Sequence, residues 1–510
     1  MRRTRILLAS SLAATLAAAT CGAAVTYERF GAVGDGRTDD RAAIVAAHAE
    51  ANRTGEPVRA ADGRTYYVGG GAESAVVQTD VDFGTAKFVI DDTAVSQISS
   101  PLFKVVPTRG RLALSGVTSL RRGQASLGTA PGVPCLVMAV NDKVRRYIRL
   151  GLNQNGGTAQ QETFVVDAGG AIDPKSPIVW DYGEITSLTA YPIDARTLVI
   201  RGGVFTTVAN RAESKYRYHN RGFDIRRSNV IVTGVRHEIT GEGDHGAPYS
   251  GFLTIGQCAN VTVTGCVFTA HRTYTTIGSA GKPVQMGSYD LTVNSSVNVS
   301  FIDCRQTTDI LDKRYWGLFA SNYSKNLSFD RCEFSRFDAH MGVANATIRN
   351  SRLGHMGINA IGSGTFLVEN TTVLAGSFMN LRSDYGSTWD GDFIVRNCRF
   401  VPWGGQRKAA AALFGGQNAG QHDFGYVCHM PRKIVIDGLE IDDSSHPDSY
   451  AGPVIFANFN SARKDDSYVE KFPYRLTESV ELRNVRTSSG KPLGLSFNPA
   501  MFKSVRVTRR

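Results

Sequence analysis

Nine short segments of this chain can be laid over one another: "NVIVTGV" (229–235), "NVTVTGC" (260–266), "NVSFIDC" (298–304), "NLSFDRC" (326–332), "NATIRNS" (345–351), "TFLVENT" (365–371), "DFIVRNC" (392–398), "KIVIDGL" (433–439) and "SVELRNV" (479–485). Their starts are separated by 31, 38, 28, 19, 20, 27, 41 and 46 residues. A constant strand at unequal intervals marks a repeat architecture whose units carry insertions on one side. The second and fourth residues are apolar almost throughout, as at Val261 and Val263, Leu327 and Phe329, or Ala346 and Ile348. That alternation of period two gives a strand one buried face. The sixth residue is mostly Gly or Asn (Gly234, Gly265, Asn350, Asn370, Asn397, Gly438, Asn484), which tolerate left-handed backbone angles at a bend. Units of 19 and 20 residues are too short for a strand, a crossover helix and a return. They fit single coils of an all-β parallel helix, each strand pairing with its equivalents ~4.8 Å above and below.

The seventh residue then points inward as Val235, Cys266, Cys304, Cys332, Ser351, Thr371, Cys398, Leu439 and Val485. Four cysteines in one register predict a stack of small buried side chains. Seven cysteines follow Cys21, an odd number at wide spacing with no C-x-x-C pair, so neither a disulfide framework nor a zinc site is expected. "RLALSGV" (111–117) and "TLVIRGG" (197–203) carry the strand pattern and predict further coils. Residues of about 118–195 lack it and predict an inserted β-rich segment, leaving core coils over about 197–490.

Residues 1–24 read as an export signal: Arg2, Arg3 and Arg5 precede an apolar run to Ala19, and Gly22-Ala23-Ala24 supplies small residues for cleavage. Lipid attachment at Cys21 is the lesser alternative, because Ala18-Ala19-Thr20 is a poor context. A secreted or periplasmic product of residues 25–510 is expected, with no membrane span. Subtracting the three arginines of that segment from a net charge of +11 leaves +8. The surplus is spread out, which suits an acidic polymer better than nucleic acid, for which dense basic runs with interleaved aromatics would be needed.

The front of the chain, "YERFGAVGDGRTDDRAAIVAAHAEANRTG" (27–55), offers a Gly34-Asp35-Gly36 turn and Asp39 as N-cap of a helix from about Asp40 to Asn52. A β-helix needs its open end covered, so a cap over about 27–70 is expected. "FGAVGDGRTDDRAAI", followed by "GRTYYVGG" (63–70), resembles the entry motif of the pectate-lyase-like superfamily, in its rhamnogalacturonase and epimerase-like branch. The resemblance implies a single-stranded right-handed parallel β-helix and, most often, work on polysaccharides. The superfamily also holds adhesins and tail spikes, so fold alone does not assign function.

Counting onward from the corner residues, His271, Asp309, Asp338 and His355 fall in the same post-strand turn of four coils, where side chains could converge on one sugar. "CEFSRFDAHMGV" and "SRLGHMGINAIGSG" stand where polygalacturonases, by resemblance, carry a catalytic Asp pair; here no such pair is present and His355 takes a carboxylate's place. For β-elimination, His340 or His355 would be the base, Arg382, Lys313 or Arg314 the neutralising cations and Tyr385 the proton donor. For hydrolysis, Asp309 and Asp338 would be the paired carboxylates. No cofactor is required, although Asp338, His340 and His355 make a divalent cation such as calcium a third option.

His271, Tyr274, Asp244, His245, Lys313, Arg314, Trp316, Asp384 and Trp389 are the candidate substrate contacts, whereas His237 reads as a hydrogen-bonded core residue. The sequence therefore favours an exported enzyme that cleaves an acidic, pectin-like polysaccharide by elimination. Hydrolysis, and glycan binding without catalysis, are the alternatives.

Overall fold

The computed structural model describes residues 24–510; the segment 1–24 that the sequence predicts to be an export signal, but for Ala24, and with it Cys21, lies outside the described residues. The second positions of all nine segments form one parallel ladder, Val230–Val261–Val299–Leu327–Ala346–Phe366–Phe393–Ile434–Val480. Leu198 precedes Val230 in the same register. A one-residue slip in any coil would turn its apolar set to solvent, so the register is strongly specified.

Each coil contributes up to three strands and hence three stacked faces. One coil runs through Val297–Ile302, Arg305–Gln306 and Phe319–Asn322. In the two shortest units no loop separates the faces, and the backbone stays extended around the corners as Glu333–Arg349 and Arg352–Glu369. The core is a continuous column that includes Phe301, Phe329, Phe337, Phe366 and Phe393. Cys266, Cys304, Cys332 and Cys398 lie buried at their common register, and each thiol donates to the carbonyl two residues earlier. All seven cysteines of the described residues are free and buried.

Sixth-position residues bend as expected: Gly234, Gly265, Asn350, Asn370, Asn397, Gly438 and Asn484 have positive φ. The first positions do so too, at Asn229, Asn260, Asn298, Asn326 and Asn345. These asparagines form a hydrogen-bonded ladder, each side-chain amide donating to the Oδ1 of the previous one at 2.8–3.2 Å.

The N-terminal helix spans Arg41–Thr54, one residue later than expected at its start, and buries Ala43, Ile44, Ala47 and Ala51 against the first coil. Asp40 does not bond to the helix with its side chain; its carboxylate takes the Val33 and Gly34 N–H groups and pins the preceding turn, while Asp39 accepts from the Arg41 N–H. Arg111–Val117 is not a coil. Leu112–Ala113 is an edge strand of a four-stranded antiparallel sheet with Cys135–Arg146, Thr158–Val166 and Ser187–Pro192. This insertion has its own core around Leu127, Val137, Phe164 and Tyr182. It docks on the helix through Leu136 against Ala259 and Val297, and through a buried Lys325–Glu162 ion pair of 2.6 Å.

Candidate functional site

The third face is formed in turn by Ser250–Gly256, Tyr289–Asn294, Phe319–Asn322, the middle of Glu333–Arg349 and of Arg352–Glu369, Ser377–Leu381 and Ala412–Gly416. Alternation sends Leu291, Phe319, Phe337 and Ala339 into the core. Their neighbours Thr292, Asn294, Ala320, Asn322 and His340 point outward and floor a cavity of about 980 Å3. Its walls are loops from both edges of the face and the tip of the insertion, 149–155.

Two features give the cavity its chemistry. The first is the row Asn294–Asn322–His340. The Asn322 amide donates to Asn294 Oδ1 at 2.8 Å, which turns its own Oδ1 to His340 Nδ1 at 2.7 Å. Nδ1 therefore carries the proton, and Nε2 keeps its lone pair. Burial, and then the Arg382, Arg336 and Arg149 guanidiniums, hold the His340 pKa well below the ordinary imidazole value, so the side chain is a neutral base.

The second is a chain of alternating charges. Arg336 lies 2.5 Å from Asp338, and Arg382 bridges from Asp338 (3.4 Å) to Asp384 (2.6 Å). Arg149, from the insertion, closes on Asp384 at 2.8 Å. Asp338 is fully buried; desolvation raises its pKa against the pull of Arg336 and Arg382. For Asp384, desolvation is outweighed by Arg382 and Arg149, which hold its carboxyl below the usual range. Three guanidiniums against two carboxylates leave one positive charge uncompensated beside His340.

The sequence candidates divide accordingly. His340, Arg382, Asp384 and Trp316 line the cavity. Asp338 sits behind it as the buried anchor of Arg336 and Arg382. Tyr385 is 3 % exposed, a buried ring over which Arg149 and Arg382 stack at 5.4 and 5.8 Å, and it lines no part of the cavity. Asp309 is exposed and accepts the Leu311 N–H of its own turn, so it forms no carboxylate pair with Asp338. His355 is half-buried near Asp312 and Lys313, its backbone bonded to Ile310. Lys313 bonds Gln406, and Arg314 pairs with Asp312 at 2.6 Å on the surface.

His271 is core, 3.1 Å from Asp290 and stacked on Tyr249 at 4.7 Å. Tyr274 and Trp389 are buried, the Trp389 indole donating to the Gly364 carbonyl at 2.9 Å. Asp244 and His245 are exposed on a loop, Asp244 facing Arg272 at 3.6 Å. His237 is in the core as expected, bonded to Thr207 at 2.9 Å. Similar counts from the corner, of four to six residues, mislead for a physical reason. In long coils they end in a loop, as at His271 and Asp309, and in the loopless 19-residue coil on the strand itself, as at Asp338. Among the described residues no three His, Cys, Asp or Glu side chains gather as a metal would require, and Asp338, His340 and His355 face three different surroundings.

Sequence reasoning missed Arg149, Tyr289, Asn294 and Asn322. Their outward alternation in the third strand of each coil could have pointed to Asn294 and Asn322; nothing local marks Arg149.

No family model matches the chain, and no curated protein matches it. Among solved structures it is similar to the tailspike gp61 of Pseudomonas phage phi297, with 12 % identity, TM-score 0.56, 96 % of this chain and 84 % of that one covered. It is also similar to the tailspike gp49 of Pseudomonas phage LKA1, with 14 % identity, TM-score 0.54, and 95 % and 84 % covered. The chain has a right-handed parallel β-helix fold.

Proposed function

We propose that the cavity binds an acidic oligosaccharide, one uronate-type carboxylate lying against Arg149 and Arg382, and that His340 can break such a chain by β-elimination. The carrying observation is a neutral histidine with a free Nε2 beside one uncompensated positive charge. One surplus charge suits one carboxylate. The rest of the lining mixes amide, hydroxyl and aromatic side chains, including Asn153, Gln285, Tyr218 and Trp316, with aliphatic ones such as Leu150, Leu152 and Val284, which suits neutral sugar rings by hydrogen bonding and stacking. The likeness to two tailspikes supports a glycan ligand, and the export segment expected from the sequence supports action outside the cytoplasm.

In elimination, Nε2 takes the proton from the carbon beside the carboxylate. The electron pair forms the new carbon–carbon double bond and the neighbouring glycosidic C–O bond breaks. The departing oxygen takes a proton, for which Tyr289 is one of the hydroxyls that line the cavity. Arg149 and Arg382 stabilise the negative charge that grows on the carboxylate as the proton leaves. Hydrolysis has less support, because Asp384 is the one carboxylate lining this cavity among the described residues and two arginines neutralise it.

Recognition without cleavage is the second reading, favoured by the tailspike fold. A panel of acidic polysaccharides, followed by ultraviolet absorbance of the unsaturated product and by calorimetric binding, separates the two. His340→Ala is expected to lower elimination by about 10²–10⁴-fold while leaving binding within a few fold. Binding with no absorbance change in the wild type would leave recognition alone standing.

A further inference from the structure

The insertion does more than dock beside the helix. It leaves the coil after Phe103–Val105, on the edge of the third face that its strands run into, and sends its tip across to the opposite edge. On the near edge the Leu150 N–H donates to the Asp384 carbonyl at 3.0 Å and the Ile148 N–H to that of Phe424 at 3.1 Å. Arg149 grips the Asp384 carboxylate. Both partners follow their third-face strands. On the far edge the Ala280 N–H donates to the Leu152 carbonyl at 3.1 Å, Ser279 Oγ to that of Gln154 at 2.6 Å, and the Asn153 amide to Tyr216 Oη at 2.9 Å. These partners sit on loops that precede third-face strands.

The tip is also closed on itself, Arg149 and Asn155 exchanging backbone hydrogen bonds of 3.2 and 3.3 Å. It is thus tied down at both edges, and it lines the same cavity as Thr292, Asn322 and His340 beneath it.

We infer that the tip, Arg149–Asn155, is a fixed roof that admits chain ends and short oligosaccharides to the cavity and keeps out the interior of a long chain. An open groove lets a polymer lie down anywhere along its length. Under a roof held at both edges, a chain reaches His340 only by threading an end. The cavity volume lies at the upper end of the range of clefts and cavities that take small ligands (~300–1,000 Å3), enough for a few sugar rings. This inference rests on the glycan reading proposed above and narrows its ligand to chain termini.

Calorimetric stoichiometry on one acidic heteropolysaccharide, fractionated by length, tests it. An end-binding site gives one site per chain at every length, so tenfold longer chains at equal mass show tenfold fewer sites. A variant with 151–155 replaced by Gly-Gly is expected to gain sites roughly in proportion to length. If wild type already shows sites in proportion to length, the roof is overturned while the glycan reading stands. Binding by the variant with none by wild type would overturn access by chain ends. Silence from both, with folding confirmed by circular dichroism, overturns the glycan reading and this inference with it. Should the variant fail to fold, the wild-type stoichiometry decides alone.

Discussion

At the scale of single residues the site depends on which nitrogen of His340 is protonated, and Asn322 decides that. Its Oδ1 takes the Nδ1 proton because its amide is committed to Asn294. Asn322→Asp would put a carboxylate where the amide oxygen stands, and a neighbouring negative charge favours the imidazolium form. Wild-type cleavage is expected to stay level as pH falls through 6.5, because the folded pKa of His340 lies well below that value. In Asn322→Asp the acidic limb should move up by about one to three pH units, with activity regained on the alkaline side. A pH profile of kcat/KM that does not move would remove Asn322 as the positioning residue. Half of this site could be read in advance. His340 and Arg382 stood out as titratable groups in a polar stretch, while Asn322 carries no mark beyond the alternation of its strand. Arg149 could not be found by local pattern, because it reaches the cavity from an insertion whose docking is set by tertiary contacts such as Leu136 on Val297.

At the scale of the coil, the same asymmetry between alternation and partnership recurs. Period-two alternation named every second-position residue of the long ladder correctly, since burial of one face leaves no freedom of register. It could not tell a coil strand from the edge strand at Leu112–Ala113, where both residues are exposed, because alternation says nothing of which strand lies alongside or what covers the face. The asparagines that open five segments were visible and unassigned; the structure shows each as a left-handed corner bonded to the one before it. Asn298 has φ 58° and links Asn260 to Asn326 through 2.9 and 2.8 Å bonds. Asn298→Ala should cost about 3–4 kcal/mol, from a left-handed alanine (~1–2) and two lost hydrogen bonds (~1 each). Asn298→Gly keeps the corner and loses only the bonds, so urea unfolding should place it roughly midway between wild type and the alanine variant. Equal losses would mean that the ladder, not the backbone angle, carries the whole effect.

At the scale of the whole molecule a solenoid is nearly one-dimensional, each coil resting on its neighbours, so a charged cluster buried between coils acts on the stability of the stack. His237 Nδ1 and His271 Nε2 lie 2.7 and 3.1 Å from the same oxygen of Asp290, and His271 Nδ1 lies 3.4 Å from Glu242, all four side chains being almost wholly buried. Burial alone would push the His271 pKa down; Asp290 and Glu242 outweigh it and raise the pKa to about 9. Burial likewise opposes the ionised Asp290, yet His237 and His271 hold its carboxyl far below the usual range. The histidine is raised, so its stabilisation is complete below the unfolded value of 6.5 and is lost as pH climbs through about 9. The aspartate is lowered, so its stabilisation is present above 3.8 and fades only in stronger acid. Other buried histidines run the opposite way. His48 is held neutral by burial, with its pKa lowered to about 3, and weakens the fold as pH falls below 6.5. The informative quantity is therefore a difference: the gap in unfolding free energy between wild type and His271→Gln, which the linkage relation puts at about 3 kcal/mol at most from this titration. That gap should be widest near pH 6 and close between pH 6.5 and 9. A gap of constant size across that range would show that His271 contributes packing against Tyr249 and no charge.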